Sequence, residues 1–147
     1  MRSCRPLLAA TVVVLCAGLS ACDDSSTAPS DFARFSQSDL RLGTGAAATI
    51  GLNLTVSYTG WLYDGARTDQ KGPQFETSRG LEPLVFTLGQ NQVILGWDQG
   101  LIGMRVGGLR RLVIPPSMAY GGFRNGPIPP NATLIFEVEL LDVQTPE

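Results

Sequence analysis

Apolar and polar residues alternate with a period of two along several segments of the chain, a pattern typical of half-buried β-strands. Residues 49–59 predict the first such strand, whose apolar positions are Ile50, Leu52, Leu54, Val56 and Tyr58. Residues 133–143 predict the longest strand. The apolar face of that strand carries Leu134, Phe136, Val138 and Leu140, and its polar face carries Glu137 and Glu139.

Shorter segments complete the predicted sheet. Residues 84–88 and 109–114 each predict a short strand: Pro83 precedes the first, and the second lies between Gly107-Gly108 and Pro115-Pro116. Between these two strands, residues 90–101 predict the single helix, which its glycines keep short. We therefore expect one α+β domain in which an antiparallel sheet packs against one short helix.

The first 21 residues have the composition of a secretory signal peptide. A basic head at residues 1–5 is followed by an apolar run at residues 7–21, which is too short for a membrane-spanning helix. The sequence Leu19-Ser20-Ala21-Cys22 resembles the lipobox of bacterial lipoproteins, in which the cysteine is acylated. Cys22 is thus the expected lipidation site. An ordinary signal peptide with a chance cysteine is the alternative.

The segment after the expected cleavage site is polar and has no periodicity. Residues 22–37 are rich in Asp, Ser, Thr, Ala and Pro, which predicts a lipidated cysteine followed by a flexible tether. Residues 38–147 are then the folded domain. This organisation places the domain outside the cytoplasm at the bacterial cell envelope, where it meets the membrane through the lipid anchor alone. The inner and the outer membrane both remain open.

The amino-acid composition argues against several kinds of catalytic and metal-binding site. The chain contains no histidine, and its three cysteines, Cys4, Cys16 and Cys22, all fall in the signal peptide or at the lipidation site. This argues against a zinc site, a cysteine nucleophile and a histidine-based triad, and we expect no metal or cofactor. The net charge is −2 with no basic run, so nucleic acid is not an expected partner. A monomer is the default expectation.

Several short motifs, in a fixed order, carry the strongest functional signal. The chain resembles the FKBP-type peptidyl-prolyl isomerases over about residues 40–143. The matching pieces are Gly43-Thr44-Gly45, Tyr58-Thr59-Gly60, Phe75-Glu76-Thr77-Ser78-Arg79, the run from Val93 to Leu101, Ala119-Tyr120-Gly121-Gly122 and the run from Ile128 to Leu140. The resemblance implies a half-barrel of five to six antiparallel strands wrapped around one short α-helix.

The chemistry that the resemblance implies needs no nucleophile. Rotation about an amide bond meets a barrier of about 18–20 kcal/mol, because resonance stabilises the planar form. X-Pro bonds populate both isomers and exchange in tens to hundreds of seconds unaided. The twisted amide is less polar than the planar one, so a dry apolar pocket with well-placed donors favours the twisted state.

By resemblance, the site residues fall into two groups. Trp97 is the expected pocket floor, Tyr120 donates its hydroxyl to a substrate carbonyl, and the Ile94 amide donates to another carbonyl. The expected catalytic residues are Tyr58, Glu76, Phe86, Trp97, Tyr120 and Phe136. The expected substrate-binding residues are Phe75, Leu84, Val93, Ile94 and Ile128.

Taken singly, most of these residues have a plain structural explanation. Trp97 on a short helix is typically a core anchor, Phe86 and Phe136 are explained by strand burial, and Glu76 alone is a solvated surface acid. Tyr120 is the exception, since an aromatic residue in a glycine-rich loop more often serves binding. The joint pattern is what favours a site.

The chain departs from the family pattern at several points. Glu76 replaces the usual aspartate, Leu84 and Met118 replace aromatic residues, and the loop over residues 121–128 is about one residue shorter. A polar insert at residues 66–74 predicts a bulge or hairpin tip beside the site. It is either a tolerated surface loop or a contact for client chains.

Three functions remain to be weighed. An isomerase acting on proline-containing, partly folded extracytoplasmic proteins is favoured because the whole pocket is retained. A binding module that recognises a proline-containing loop is the alternative, and a holdase is the third. Affinity for the macrolide inhibitors of the family is also implied, at a strength that depends on the departures at Glu76, Leu84 and Met118.

Overall fold

The computed structural model describes residues 33–146, which form one antiparallel sheet and one short helix. The strands are β1 (Ser36–Arg41), β2 (Asn53–Tyr63), β3 (Lys71–Thr77), β4 (Leu84–Thr87), β5 (Leu109–Ile114) and β6 (Leu134–Gln144); the helix α1 is Leu95–Gly100. The strand order is β1-β5-β6-β2-β3, and β4 pairs with β2 beside this path. The predicted α+β class, with six antiparallel strands and one short helix, is confirmed.

Two predicted elements have different bounds in the structure. The strand β2 begins at Asn53 and not at residue 49, because residues 49–52 form a turn with Gly51 at φ 90° and Ile50 64% exposed. The helix α1 begins at Leu95 and not at residue 90, because the preceding residues also turn. The strands β5 and β6 lie where the sequence predicts them, β5 from its bounding glycines and prolines and β6 from its alternation.

Two strands, β1 and β3, have no counterpart among the predicted segments. All six residues of β1 are exposed, so no alternation reveals it, and it starts within the expected tether. The strand β3 contains Gly72 and Pro73, which are poor strand formers. The expected signal peptide and Cys22 lie outside the described residues.

The core lies between the concave face of the sheet and α1. Gly96 and Gly100 make this contact close, since a Cβ on either would come within 2.7 Å of Ile114 or Leu112 on β5. The buried apolar side chains that fill the core include Leu54, Val56, Phe86, Trp97, Leu101, Leu112, Ile114, Leu134, Phe136, Val138 and Leu140. The helix therefore has a fixed position above β5, which in turn fixes Trp97.

Arg110 ties the exposed first strand to the helix. Its side chain is 8% exposed and points to the concave face, where its Nη1 donates to the Gly100 and Ile102 carbonyls at 2.9 and 3.1 Å. Its Nε donates to the Asp39 carboxylate at 2.6 Å. A cation is favourable at a helix C-terminus because the last carbonyls are unpaired there. An ion pair between the buried Arg110 and the exposed Asp39 thus holds β1 in place of apolar packing.

The β2–β3 hairpin holds the polar insert against the outer face of the sheet. Arg111 follows Arg110 on β5 and therefore points away from the helix. It donates to the carbonyl of Asp69 in the hairpin tip. Lys71 lies 4.3 Å from the centre of the Trp61 ring and pairs with Glu137 of β6 at 2.5 Å. The tip is consequently anchored on the face opposite to α1.

No helix within residues 33–146 is long and apolar enough to cross a membrane.

Candidate functional site

A cavity of about 220 Å³ opens between the concave face of the sheet, α1 and the neighbouring loops. Its lining residues are Tyr58, Glu76, Leu84, Gln92, Val93, Ile94, Trp97, Tyr120 and Phe136. All but Gln92 belong to the residues that the sequence singles out. Residues from β2, β3, β4, β6 and α1 therefore meet at one place although up to 78 positions separate them.

The remaining predicted residues lie close by but not in this cavity. Phe75 and Ile128 line an adjoining cavity of about 240 Å³, which shares Glu76 and Tyr120 with the first. Phe86, expected in the wall, lies behind Trp97 with ring centres 5.9 Å apart and is 4% exposed. It supports the floor and does not line the cavity.

Two aromatic rings, those of Tyr58 and Phe136, pack edge to face on Trp97. The ring centres of Tyr58 and Phe136 lie 5.0 and 5.2 Å from that of Trp97, with interplanar angles of 85° and 90°. Phe75 packs on Phe136 at 5.6 Å and 86°. Such arrangements are favoured because the positive edge of one ring meets the negative face of the next. The Trp97 Nε1 has no hydrogen-bond partner among the described residues, so aromatic packing holds this side chain.

Gly60 explains why the motif Tyr58-Thr59-Gly60 has a glycine at its end. It lies on the concave face of β2, in register with Phe136 of β6. A Cβ at this position would come within 2.6 Å of the Phe75 ring and 2.8 Å of the Phe136 ring. The missing side chain leaves room for both rings to approach each other, and this brings β3 and β6 to the same wall of the site.

Two tyrosine hydroxyls face the mouth of the cavity together with Glu76. Burial raises the pKa of Tyr58 far above its ordinary value, and hydrogen bonding to the Glu76 carboxylate and the charge of that carboxylate raise it further. Burial also raises the pKa of Tyr120, and the Glu76 charge adds to this, while a hydrogen bond with Asn125 acts in the opposite direction. Both hydroxyls are therefore protonated at neutral pH and remain available as donors.

Glu76 stands where the family pattern has an aspartate, and it adds to the rise in the pKa of Tyr58 that burial causes. Glu76 is exposed on β3, and within residues 33–146 it forms no ion pair. Its carboxylate thus acts on the two hydroxyls from the solvent side of the cavity.

Ile94 supplies a backbone donor at the start of α1. It is the N-cap residue, with φ −61° and ψ 149°, and its carbonyl accepts from the Trp97 and Asp98 amides. Its own amide has no hydrogen-bond partner in the described part of the chain. This N–H is available to a carbonyl group above the indole ring, as the family resemblance implies.

Sequence reasoning missed Gln92 and Asp98. Gln92 lines the cavity, and its Oε1 accepts from the Thr87 amide at 2.9 Å. Asp98 is buried next to Trp97 and accepts from two backbone amides of the preceding loop. The available signal was a pair of polar side chains beside an apolar pocket motif. Neither residue belongs to a periodic pattern of apolar positions.

The loop after Tyr120 closes the second cavity. Ile128 is 4% exposed and forms a small bridge with Asn125, whereas Phe123 between Tyr120 and Asn125 is 82% exposed. Met118, which replaces an aromatic residue, packs against the core from a short 3-10 turn. The loop is thus anchored at its two ends and exposes an apolar side chain between them.

The polar groups around the two cavities are two phenols, one carboxylate, two side-chain amides and backbone amides. In the part of the chain that the structure describes, no group of three His, Cys, Asp or Glu side chains is arranged to hold a metal ion. The arrangement suits recognition of a small apolar ring whose flanking carbonyls accept hydrogen bonds. It offers donors and apolar surface rather than an activated nucleophile.

Comparison with known proteins agrees with this geometry. Residues 44–141 match the family model described as FKBP-type peptidyl-prolyl cis-trans isomerase. The chain is 50% identical over 106 residues to an FK506-binding protein of Neisseria meningitidis serogroup B, covering 71% of this chain and 92% of the relative. It is 44% identical over 105 residues to FK506-binding protein 1 of Aspergillus oryzae, covering 69% and 90%.

Solved structures show the same fold. The crystal structure of FkpA from Escherichia coli matches with a TM-score of 0.63 and 42% identity over 76% of this chain, which corresponds to 48% of FkpA. The crystal structure of AtFKBP13 matches with a TM-score of 0.62 and 34% identity, covering 74% of this chain and 91% of that one. The chain belongs to the FKBP-type peptidyl-prolyl cis-trans isomerases.

Proposed function

We propose that this isomerase binds the proline ring on Trp97 and accelerates rotation of the preceding amide by favouring its twisted state, without covalent catalysis. The observation that carries the proposal is the aromatic cavity itself, in which Tyr58 and Phe136 stand edge-on around the indole. A planar amide is strongly hydrated, and the twisted amide is less polar. Exclusion of water by these rings therefore lowers the energy of the twisted state relative to the planar one.

The donors at the cavity mouth hold the chain on either side of the rotating bond. The Tyr120 hydroxyl and the Ile94 amide each donate to one substrate carbonyl. Both donors are available at neutral pH: the raised pKa of Tyr120 keeps its hydroxyl protonated, and the Ile94 amide is unpaired within residues 33–146. Holding both flanks lowers the entropic cost of reaching the twisted geometry. Glu76 orients the Tyr58 hydroxyl at the wall.

The proposed substrates are proline-containing chains of extracytoplasmic proteins in the course of folding. The support comes from the sequence before the domain, where a signal peptide and the lipobox-like Leu19-Ser20-Ala21-Cys22 occur. We include in the proposal that Cys22 is acylated and tethers a monomeric domain to a bacterial membrane. Expression of the full chain and of Cys22→Ala in bacteria tests this: the former is expected in the membrane fraction and the latter in the soluble fraction. Equal fractionation of the two would contradict the anchor.

A macrolide of the FK506 type is a proposed inhibitor. The support is that the matched relatives are named FK506-binding proteins and that this chain retains the aromatic cavity. Leu84 offers a smaller wall than an aromatic residue, so we expect weaker inhibition than in relatives with an aromatic side chain there. Titration of isomerase activity with the macrolide measures it.

The deciding experiment follows the slow, proline-limited refolding of a reporter protein with and without catalytic amounts of the full chain. We expect acceleration by the wild type and a loss of most of it in Trp97→Leu. Leu101→Ala is the matched control, because Leu101 is buried at the C-cap of the same helix but does not line the cavity. All proteins are assayed well below their unfolding temperatures. A folded wild type that accelerates nothing would indicate a binding module for a proline-containing partner instead.

A further inference from the structure

Asp98 is a buried carboxylate that the proposed mechanism leaves unused. It directly follows the floor residue Trp97, is 6% exposed and does not line the cavity. It forms no ion pair with any described residue. Its two oxygens accept from the backbone amides of Gly89 and Asn91, at 2.8 and 3.0 Å. Because a buried carboxylate is costly without partners, these two hydrogen bonds are what makes its burial tolerable.

The two amides belong to a loop whose backbone conformation is unusual. Gly89 and Asn91 have φ angles of 80° and 54°, in the left-handed region that glycine and asparagine adopt most readily. Asp98 bonds both residues and so closes this turn from the helix side. From the other side, Gln92 bonds the Thr87 amide of β4. The loop between β4 and α1 is therefore fastened to both elements that it connects.

The end of the same loop forms one wall of the cavity. Val93 and Ile94 line it, and the unpaired amide of Ile94 is a proposed donor to the substrate. The floor, Trp97, is the residue next to Asp98 on α1. A single side chain thus joins the floor to the wall that carries the donor.

We propose that Asp98 is a positioning residue, which sets the height of the Ile94 amide above the indole by holding the loop to the helix. This inference rests on the proposed function of the cavity. A well-packed apolar side chain would stabilise the fold at least as well as a buried charge does. Positioning of two backbone donors is a role that a carboxylate fills and an apolar residue does not.

The test replaces Asp98 by Asn in the full chain. An asparagine keeps one acceptor and turns an NH₂ group toward the second amide, so one hydrogen bond is lost and two donors oppose each other. We expect kcat/KM for a prolyl tetrapeptide to fall about tenfold, chiefly through KM, because a bond to a charged acceptor is among the stronger ones. Hydrogen exchange is expected to quicken at the amides of Gly89 and Asn91 and to stay slow in β5 and β6.

Two further variants separate positioning from general destabilisation. Val113→Ala removes buried apolar volume from the outer face of the sheet, and it shows what a comparable loss of stability does to kcat/KM. Asp98→Glu keeps the carboxylate, and we expect it to retain more activity than Asp98→Asn.

The outcomes are distinct. A wild type with no isomerase activity would overturn the proposed function and this inference with it. An active wild type matched by an equally active Asp98→Asn, or by a Val113→Ala that loses as much activity at equal loss of stability, would overturn the inference alone. A tenfold loss with loop-restricted exchange, restored in part by Asp98→Glu, would establish it.

Discussion

The two faces of the strand β6 have different roles, since one contributes to the candidate site and the other to the stability of the fold. Phe136 and Val138 point to the concave face, where Phe136 joins the aromatic cavity. Ile135 and Glu137 alternate with them and point outward, where Glu137 pairs with Lys71 and Ile135 is fully buried. On the concave side, apolar surface and unpaired donors are left available. On the outer side of β6, Glu137 pairs with Lys71 and Glu139 pairs with Arg41, so that face stabilises the fold and leaves the chemistry to the other.

The largest expected contrast is between Phe136→Ala and Ile135→Ala. Both remove a buried apolar side chain and should cost about 2–5 kcal/mol of unfolding free energy. Only Phe136 contacts the proposed proline site, where the lost apolar contact is worth about 1.5–3 kcal/mol. We expect kcat/KM per folded molecule to fall roughly tenfold to hundredfold in Phe136→Ala and to stay unchanged in Ile135→Ala. Prolyl tetrapeptide kinetics measure kcat/KM, and denaturant unfolding measures the unfolding free energy. Equal losses of kcat/KM in the two variants would contradict a functional difference between the faces.

A milder pair of changes removes one hydroxyl from each face. Tyr120→Phe deletes a proposed substrate donor, and Tyr63→Phe does the same at the half-buried end of β2, on the outward-pointing side. A neutral hydrogen bond is worth about 0.5–1.5 kcal/mol, so kcat/KM should fall about two- to tenfold in the first variant only. Unfolding temperatures should hardly change. A Tyr120→Phe variant with the kcat/KM of the wild type would remove the tyrosine hydroxyl from the mechanism.

The concave face follows from the sequence because two signals coincide there. The alternation in β6 and in most of β2 places Tyr58 and Phe136 on the buried side, and the family motifs add Trp97 and Tyr120. Hydrophobic periodicity reveals which face of a strand is buried. It gives no signal for a strand that is held in place by polar contacts. The strand β1 is entirely exposed and is held by the Asp39–Arg110 pair across 71 positions, a contact that no local pattern encodes.

Several details of the site were out of reach for the same reason. The position of Phe86 behind Trp97 depends on how β4 meets α1, and the sequence gives only its place on a strand. The insert was expected beside the site, yet its tip bonds Arg111 on the outer face. Asp98 carries no periodic signal, because its role is to bond two amides across a turn. Tertiary contacts decide each of these.

The pH dependence of stability offers a third way to probe the concave face. The pKa of Tyr58 in the folded state lies above its ordinary value, chiefly through burial. A group with a raised folded pKa binds its proton more tightly in the folded state, so its contribution is complete below the unfolded value of about 10 and is lost above it. We expect the unfolding free energy to fall as the pH rises beyond about 10, less steeply in Tyr58→Phe than in the wild type. Denaturant titrations from pH 7 to 11 measure the two slopes, and identical slopes would refute the assignment to Tyr58.

The smallest effect is expected where the hairpin meets the outer face. Lys71 is partly shielded between the Trp61 ring and Glu137, with 22% of its side chain exposed. Lys71→Met keeps the aliphatic length but removes the charge, and it should cost about 1 kcal/mol through the lost cation–π contact and ion pair. The double variant with Glu137→Gln should then be less destabilised than the sum of the two single variants, because the partners act on each other. Added salt should reduce the difference in stability between the wild type and Lys71→Met. The tetrapeptide kcat/KM should stay at the wild-type level in all of these variants. A loss of activity in Lys71→Met would show that the hairpin also positions Phe75 and Glu76 at the cavity. The two faces of the sheet would then not be functionally separate at β3.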